Sequence, residues 1–87
     1  MKYQFYIKGN EVGVIFKKQH NMYKLVADFY IDNREPIYET YTGSSHEYTV
    51  QEFKSYCILI DAKFKYQTSS MDEMKVYIIT EYPQIIL

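Results

Sequence analysis

Residues 56–66 read YCILIDAKFKY, and the fold turns on whether this run is helix or strand. Tyr56, Ile58, Ile60, Ala62, Phe64 and Tyr66 alternate with the period of a strand. Val50, Phe53, Cys57, Ile60 and Phe64 recur instead at helical spacing. Just upstream, Thr49-Val50-Gln51-Glu52 has capping-box form, in which a hydroxyl and a carboxylate each satisfy a backbone donor of the first turn. The cap and the length favour a helix over residues 50–66. In that helix Asp61 and Lys65 form an i,i+4 pair, and Lys63 and Lys65 suit its C-terminal dipole. Ser70-Met71-Asp72-Glu73 is a second capping box. It predicts a helix over residues 71–81 with Met71, Met74 and Ile78 on one side, ended by Pro83, although VYIITEY is β-prone.

The first half reads as strands. Tyr3, Phe5 and Ile7 alternate with polar neighbours, then Gly9-Asn10 gives a two-residue hairpin signal. Val12, Val14 and Phe16 share one face of the next strand. His20-Asn21 reads as a second turn, and Tyr23, Leu25, Ala27, Phe29 and Ile31 alternate after it. Residues 33–36, Asn-Arg-Glu-Pro, read as a third turn before a short strand over residues 37–42. Two-residue turns at these places pair Phe5 with Val14, Phe16 with Leu25, Val14 with Ala27, and Phe29 with Thr40. They also set Asp28 opposite Tyr41 and Tyr30 opposite Glu39. One apolar face then stays in phase across all four strands, whereas a one-residue slip would invert a strand.

The expected architecture is therefore α+β. A four-stranded antiparallel meander (residues 2–42) carries two helices (50–66 and 71–81) on one face, in a single domain of 87 residues. The other face would be open. It would carry Lys2, Lys17 and Lys24 at one end, with Tyr6, Gly13, Asp28, Tyr30, Asp32, Glu39 and Tyr41 further along.

Composition narrows the function. A net charge of −1 opposes simple electrostatic binding to nucleic acid or membrane. The charge is uneven: lysines concentrate in residues 1–24 and carboxylates in 25–48. One cysteine excludes an intrachain disulfide and favours a reducing compartment. There is no apolar signal region and no apolar run long enough to span a bilayer, so a cytoplasmic location is expected.

Motifs for chemistry are missing. Gly43-Ser44-Ser45-His46 sets hydroxyls beside an imidazole, but neighbouring side chains lack the geometry of a nucleophile and its base. His20, His46 and Cys57 have no metal-ligand spacing, and GNEVG lacks the residues of a phosphate loop. Asp28, Asp32, Glu35 and Glu39 lack the spacing of a calcium loop. No enzyme, cofactor or metal is expected.

What remains is a surface of tyrosines and acids. Tyr6, Asp28, Tyr30, Asp32, Glu35, Tyr38, Glu39 and Tyr41 form the expected partner-binding set, suited to a basic protein such as a nucleic-acid enzyme. Tyr is enriched where proteins meet. Small size and an AT-rich coding composition fit a phage- or mobile-element-type inhibitor of a nucleic-acid-handling or host-defence protein. The alternative is single-stranded nucleic acid stacked on Tyr of the open face, which the acids beside Tyr30 and Tyr41 oppose. Self-association would use the fourth-strand edge or the apolar tail at Ile85-Ile86-Leu87.

Overall fold

A computed structural model describes residues 1–9, 12–30, 39–40 and 47–82; in strands, the side chains of Tyr30, Glu39 and Thr40 are not described. The elements are β1 (Lys2–Lys8), β2 (Val12–Gln19), β3 (Met22–Tyr30), β4 (Glu39–Thr40), β5 (Glu47–Thr49), α1 (Val50–Leu59), β6 (Ala62–Thr68) and α2 (Met71–Glu81). The fold is α+β, with an antiparallel sheet ordered β4-β3-β2-β1-β6 and β5 also paired to β3. The β3 edge thus carries two short strands, and β6 forms the opposite edge.

The run 56–66 is both of the things its pattern suggested, split in the middle. The Thr49 cap forms reciprocally: Thr49 Oγ1 accepts from the Glu52 amide at 3.2 Å, and Glu52 Oε1 accepts from the Thr49 amide at 3.1 Å. The helix stops at Leu59, and Asp61 takes a left-handed φ of 52°, which its short polar side chain tolerates. From Ala62 the chain is β6, paired antiparallel with β1. The expected helix over 50–66 is therefore too long by its last seven residues. Lys63 and Lys65 serve a strand, and Asp61 and Lys65 are not a helical pair. The α2 prediction matches in both bounds.

The hairpin register differs by one residue. Phe5 faces Ile15 and Ile7 faces Gly13, so three residues, not two, separate Lys8 from Val12. At the His20-Asn21 turn the two-residue loop does form, with Phe16 opposite Leu25, and His20 takes φ 55°. A bulge past Ile15 then shifts the pairing, so Val14 meets Asp28 rather than Ala27. The extra residue is Val26, and it packs with Ala27 on one side of the sheet. At β4, Ala27 faces Thr40 and Asp28 faces Glu39, two positions from the expected pairing. The turn at 33–36 lies outside the described residues.

These slips matter because alternate residues of a strand face opposite ways. Phe5, Ile7, Ile15, Ala27 and Phe29 form one buried cluster with Met74 and Ile78 of α2. Val14, Phe16 and Tyr23 form another with Phe53 of α1. The helices therefore cover opposite faces, which corrects the expectation of two helices on one face and an open sheet on the other. α1 crosses a sheet face because it carries the chain from β5 at one edge to β6 at the other. The lysine row divides too: Lys17 pairs with Lys24, while Lys2 pairs with Lys18 on the other side of the sheet.

Packing on the α1 face is aromatic. Phe53 stacks on Tyr23 with centroids 3.8 Å apart and meets Phe16 edge-on at 4.8 Å. On the α2 face, Phe5 and Phe29 lie parallel at 6.0 Å, and Gly13 sits beneath them. A Cβ there would lie 2.6 Å from the Phe29 ring, so glycine is required by the close approach of the ring.

Candidate functional site

Of the expected partner-binding set, only Tyr6 and Asp28 have described side chains. Tyr6 is half-buried beneath α1, where its ring meets Phe53 at 5.5 Å and Phe64 at 5.6 Å. Its hydroxyl donates to Gln4 Oε1 at 2.7 Å, and Gln4 Nε2 donates to Gln67 Oε1 at 2.8 Å. Burial, with smaller contributions from Cys57 and Tyr23, pushes the Tyr6 hydroxyl well above the ordinary tyrosine range. Tyr6 is thus a structural ring with a satisfied hydroxyl. Asp28 is half-buried on β3 opposite Glu39. Tyr30 pairs with Val12 through its backbone. Asp32, Glu35, Tyr38 and Tyr41 lie outside the described residues, as do His46 and the tail at 85–87.

Among the described residues, no three His, Cys, Asp or Glu side chains are grouped to hold a metal. Cys57 is half-buried, and burial pushes its thiol pKa up, which lowers nucleophilicity at neutral pH. No helix among the described residues is long and apolar enough to cross a membrane.

Tyrosines and acids do converge, but elsewhere: on the side of α2 that faces β6. The local structure starts at Thr68, buried at the end of β6. Its hydroxyl donates to Glu73 Oε2 at 2.6 Å and accepts from the Ser70 amide at 3.3 Å. Ser70 Oγ in turn accepts from the Glu73 amide at 3.3 Å. The second half of the expected capping box is thus relayed through Thr68, and this network ties α2 to the edge strand. Further along, Tyr66 of β6 stacks on Tyr77 of α2 with centroids 4.0 Å apart. Met74 and Ile78 point into the core.

This anchoring leaves a shallow groove of about 400 Å³ lined by Tyr66, Asp72, Glu73, Val76, Tyr77, Thr80 and Glu81. Three of these carry carboxylates and none carries a cation. Lys75 is absent from the lining, as its helical angle places it on another side of α2. Val76 is 63% exposed. Burial is the main cause that raises the Tyr77 pKa, followed by Tyr82, Glu81 and Tyr66. The phenol therefore stays neutral at physiological pH.

A second groove of about 520 Å³ lies between β5 and α1, with Tyr48, Ser55, Tyr56 and Leu59 in its wall. The one carboxylate among its described lining residues, Glu52, caps α1. Leu59 and its neighbour Ile58 are 81% and 82% exposed. This groove's lining mixes Leu59 and two tyrosines with Thr49, Gln51 and Ser55.

The composition-based reading looked for acids and tyrosines in residues 28–41 and passed over Asp72, Glu73, Val76, Tyr77 and Glu81. The signal was present in the sequence. At 3.6 residues per turn, Asp72, Val76 and Thr80 form one row, and Glu73, Tyr77 and Glu81 the next. Tyr66 was hidden by the helical reading of residues 50–66.

No protein-family model, curated protein or solved structure matches this chain.

Proposed function

We propose that the protein is a non-enzymatic protein-binding module whose acidic, tyrosine-walled groove between α2 and β6 receives a basic surface of its partner. The carrying observation is the groove lining: three carboxylates around stacked Tyr66 and Tyr77, with no cation among the described lining residues. Carboxylates beside aromatic walls suit arginine and lysine, which take up charge pairing and ring contact together. Small size and AT-rich composition make a mobile-element-type inhibitor of a nucleic-acid-handling or host-defence protein the natural setting, in the cytoplasm. Base stacking on an open sheet loses its platform, since α1 covers the Tyr6 face and α2 the other.

Affinity capture from the native host, with mass spectrometry, tests the reading. The wild-type chain should retain a basic partner. Asp72→Lys combined with Glu81→Lys should reduce capture at least about tenfold while the far-ultraviolet spectrum stays unchanged. Undiminished capture by the folded double variant would contradict it.

A further inference from the structure

Resting on that reading, we propose that a second copy of the chain is the groove's occupant in the free protein. β6 pairs antiparallel with β6 of the copy, and Lys63 of each chain meets the start of the other's α2. The edge itself is the first observation. β6 ends the sheet on the side away from β4 and β5, and no strand among the described residues lies outside it. Every second residue of such a strand turns its amide and carbonyl outward, as a template for another strand. Its seven residues, AKFKYQT, hold two lysines and no acid. Lysines blunt an edge against most strands, so the strand that pairs here must bring carboxylates to them. A copy of this chain does.

Directly opposite residues of an antiparallel pair share a face. Opposite Tyr3, Phe5 and Ile7, β6 sets Thr68, Tyr66 and Lys63 on the α2 face; opposite Gln4 and Tyr6 it sets Gln67 and Phe64 on the α1 face. Lys65 is the extra residue of the bulge. A two-fold pair centred on Tyr66 keeps these faces when each strand opposes the bulge as β1 does. Phe64 then faces Gln67 of the copy, and Lys63 faces Thr68. The Thr68 hydroxyl already holds Glu73 at 2.6 Å, and a carboxylate has further acceptor sites for an ammonium group. The Phe64-centred register also keeps the faces but sets Lys63 against Tyr66, away from Glu73. The helix marks the Tyr66 axis independently. Tyr77 stacks on Tyr66 at 4.0 Å, so Tyr77 and its neighbour Val76 stand over the same point. α2 packs on β1 and β6, so the two-fold sets α2 of the copy beside it and antiparallel. Glu73, Val76, Tyr77 and Thr80 recur at i, i+3, i+4 and i+7, the stripe a helix offers to a neighbour. Val76, 63% exposed in the single chain, is covered there.

Sedimentation equilibrium of the full chain tests this. The weight-average mass should rise from 10.5 kDa toward twice that value between about 10 µM and 1 mM. Lys63→Glu on the strand and Val76→Asp on the helix should each weaken association at least about tenfold, with an unchanged far-ultraviolet spectrum. Lys63→Arg should retain it. Ile58→Lys, on the most exposed apolar residue of α1, should leave it unchanged. In a mixture of labelled and unlabelled chains, contacts between copies should link Lys63 to residues 68–73. A chain that stays monomeric to about 1 mM, association lost in Ile58→Lys but kept in Lys63→Glu and Val76→Asp, or contacts between copies confined to residues 50–59 would each overturn the proposal. If the chain is monomeric and partner capture is still lost in the Asp72→Lys, Glu81→Lys variant, the second copy alone is wrong. If the dimer forms as described and capture ignores that variant, the copy stands and the outside partner does not.

Discussion

The two helices are attached to the same sheet in different ways, and among the described residues three acids line the groove beside α2 and one the groove beside α1. α1 has one buried anchor among the described residues, Phe53, locked between Tyr23, Phe16 and Tyr6 by ring contacts. α2 spreads its anchoring over Met74 and Ile78 in the core, the Thr68 network at its start and Tyr82 edge-on to Phe5 at its end. A helix held along its length can overhang a sheet edge and keep a groove open. α1 has Phe53 at its centre, with Tyr56 edge-on to Phe16 and Val50 and Cys57 packed beside it, and it closes over the face it crosses.

The sharpest way to break that contrast is Phe53→Ala. It removes the one buried side chain of α1 among the described residues and should cost about 3–5 kcal/mol, read as a fall in the urea midpoint. Met74→Ala should cost about 2–4 kcal/mol, because Ile78 and the flanking contacts remain. If the two costs were reversed, Phe53 would not be the dominant anchor of α1.

Gly13→Ala acts on the α2 face from below. The added methyl would meet the Phe29 ring at 2.6 Å, and the shift this forces should cost about 1–3 kcal/mol in the same assay. No loss would mean that Phe5 and Phe29 are less tightly fixed than their parallel stacking implies.

The sequence showed the elements more clearly than their phase. Three long strands, both caps and the whole of α2 could be read from alternation and capping chemistry. Register could not, and the reason lies in β2. Val12, Val14 and Phe16 are apolar on one side, and Ile15 is apolar on the other. Alternation specifies register only where one face is polar. With a helix over each face, both registers looked equally in phase, and bulges at Val26 and Lys65 added shifts that no motif announced. The groove between α2 and β6 was hidden for a related reason. Tyr66 belongs to the groove only once residues 62–68 are a strand, and long-range pairing with β1 decides that.

A smaller effect separates the α1 face by pH. The folded-state pKa of Tyr6 is raised above its ordinary value of 10.0, mainly by burial. Its contribution to stability is complete below about pH 10 and is lost as pH rises toward the folded value. Urea midpoints should therefore fall on the alkaline side, and Tyr6→Phe should flatten that fall. An unchanged alkaline slope in the variant would assign the effect to other groups. Smallest of all, Glu81→Gln should leave stability within about 0.5 kcal/mol of wild type or raise it slightly, since the dipole is relieved. A clear loss of stability would give Glu81 a structural role.

Hydrogen–deuterium exchange of the free chain against the chain bound to its captured partner tests the central claim most directly. Added protection over Tyr66 and residues 72–81 is the predicted footprint, with α1 and the β3–β4 edge unchanged. Protection confined to residues 50–59 or to 28–40 would place recognition on another surface and contradict the account.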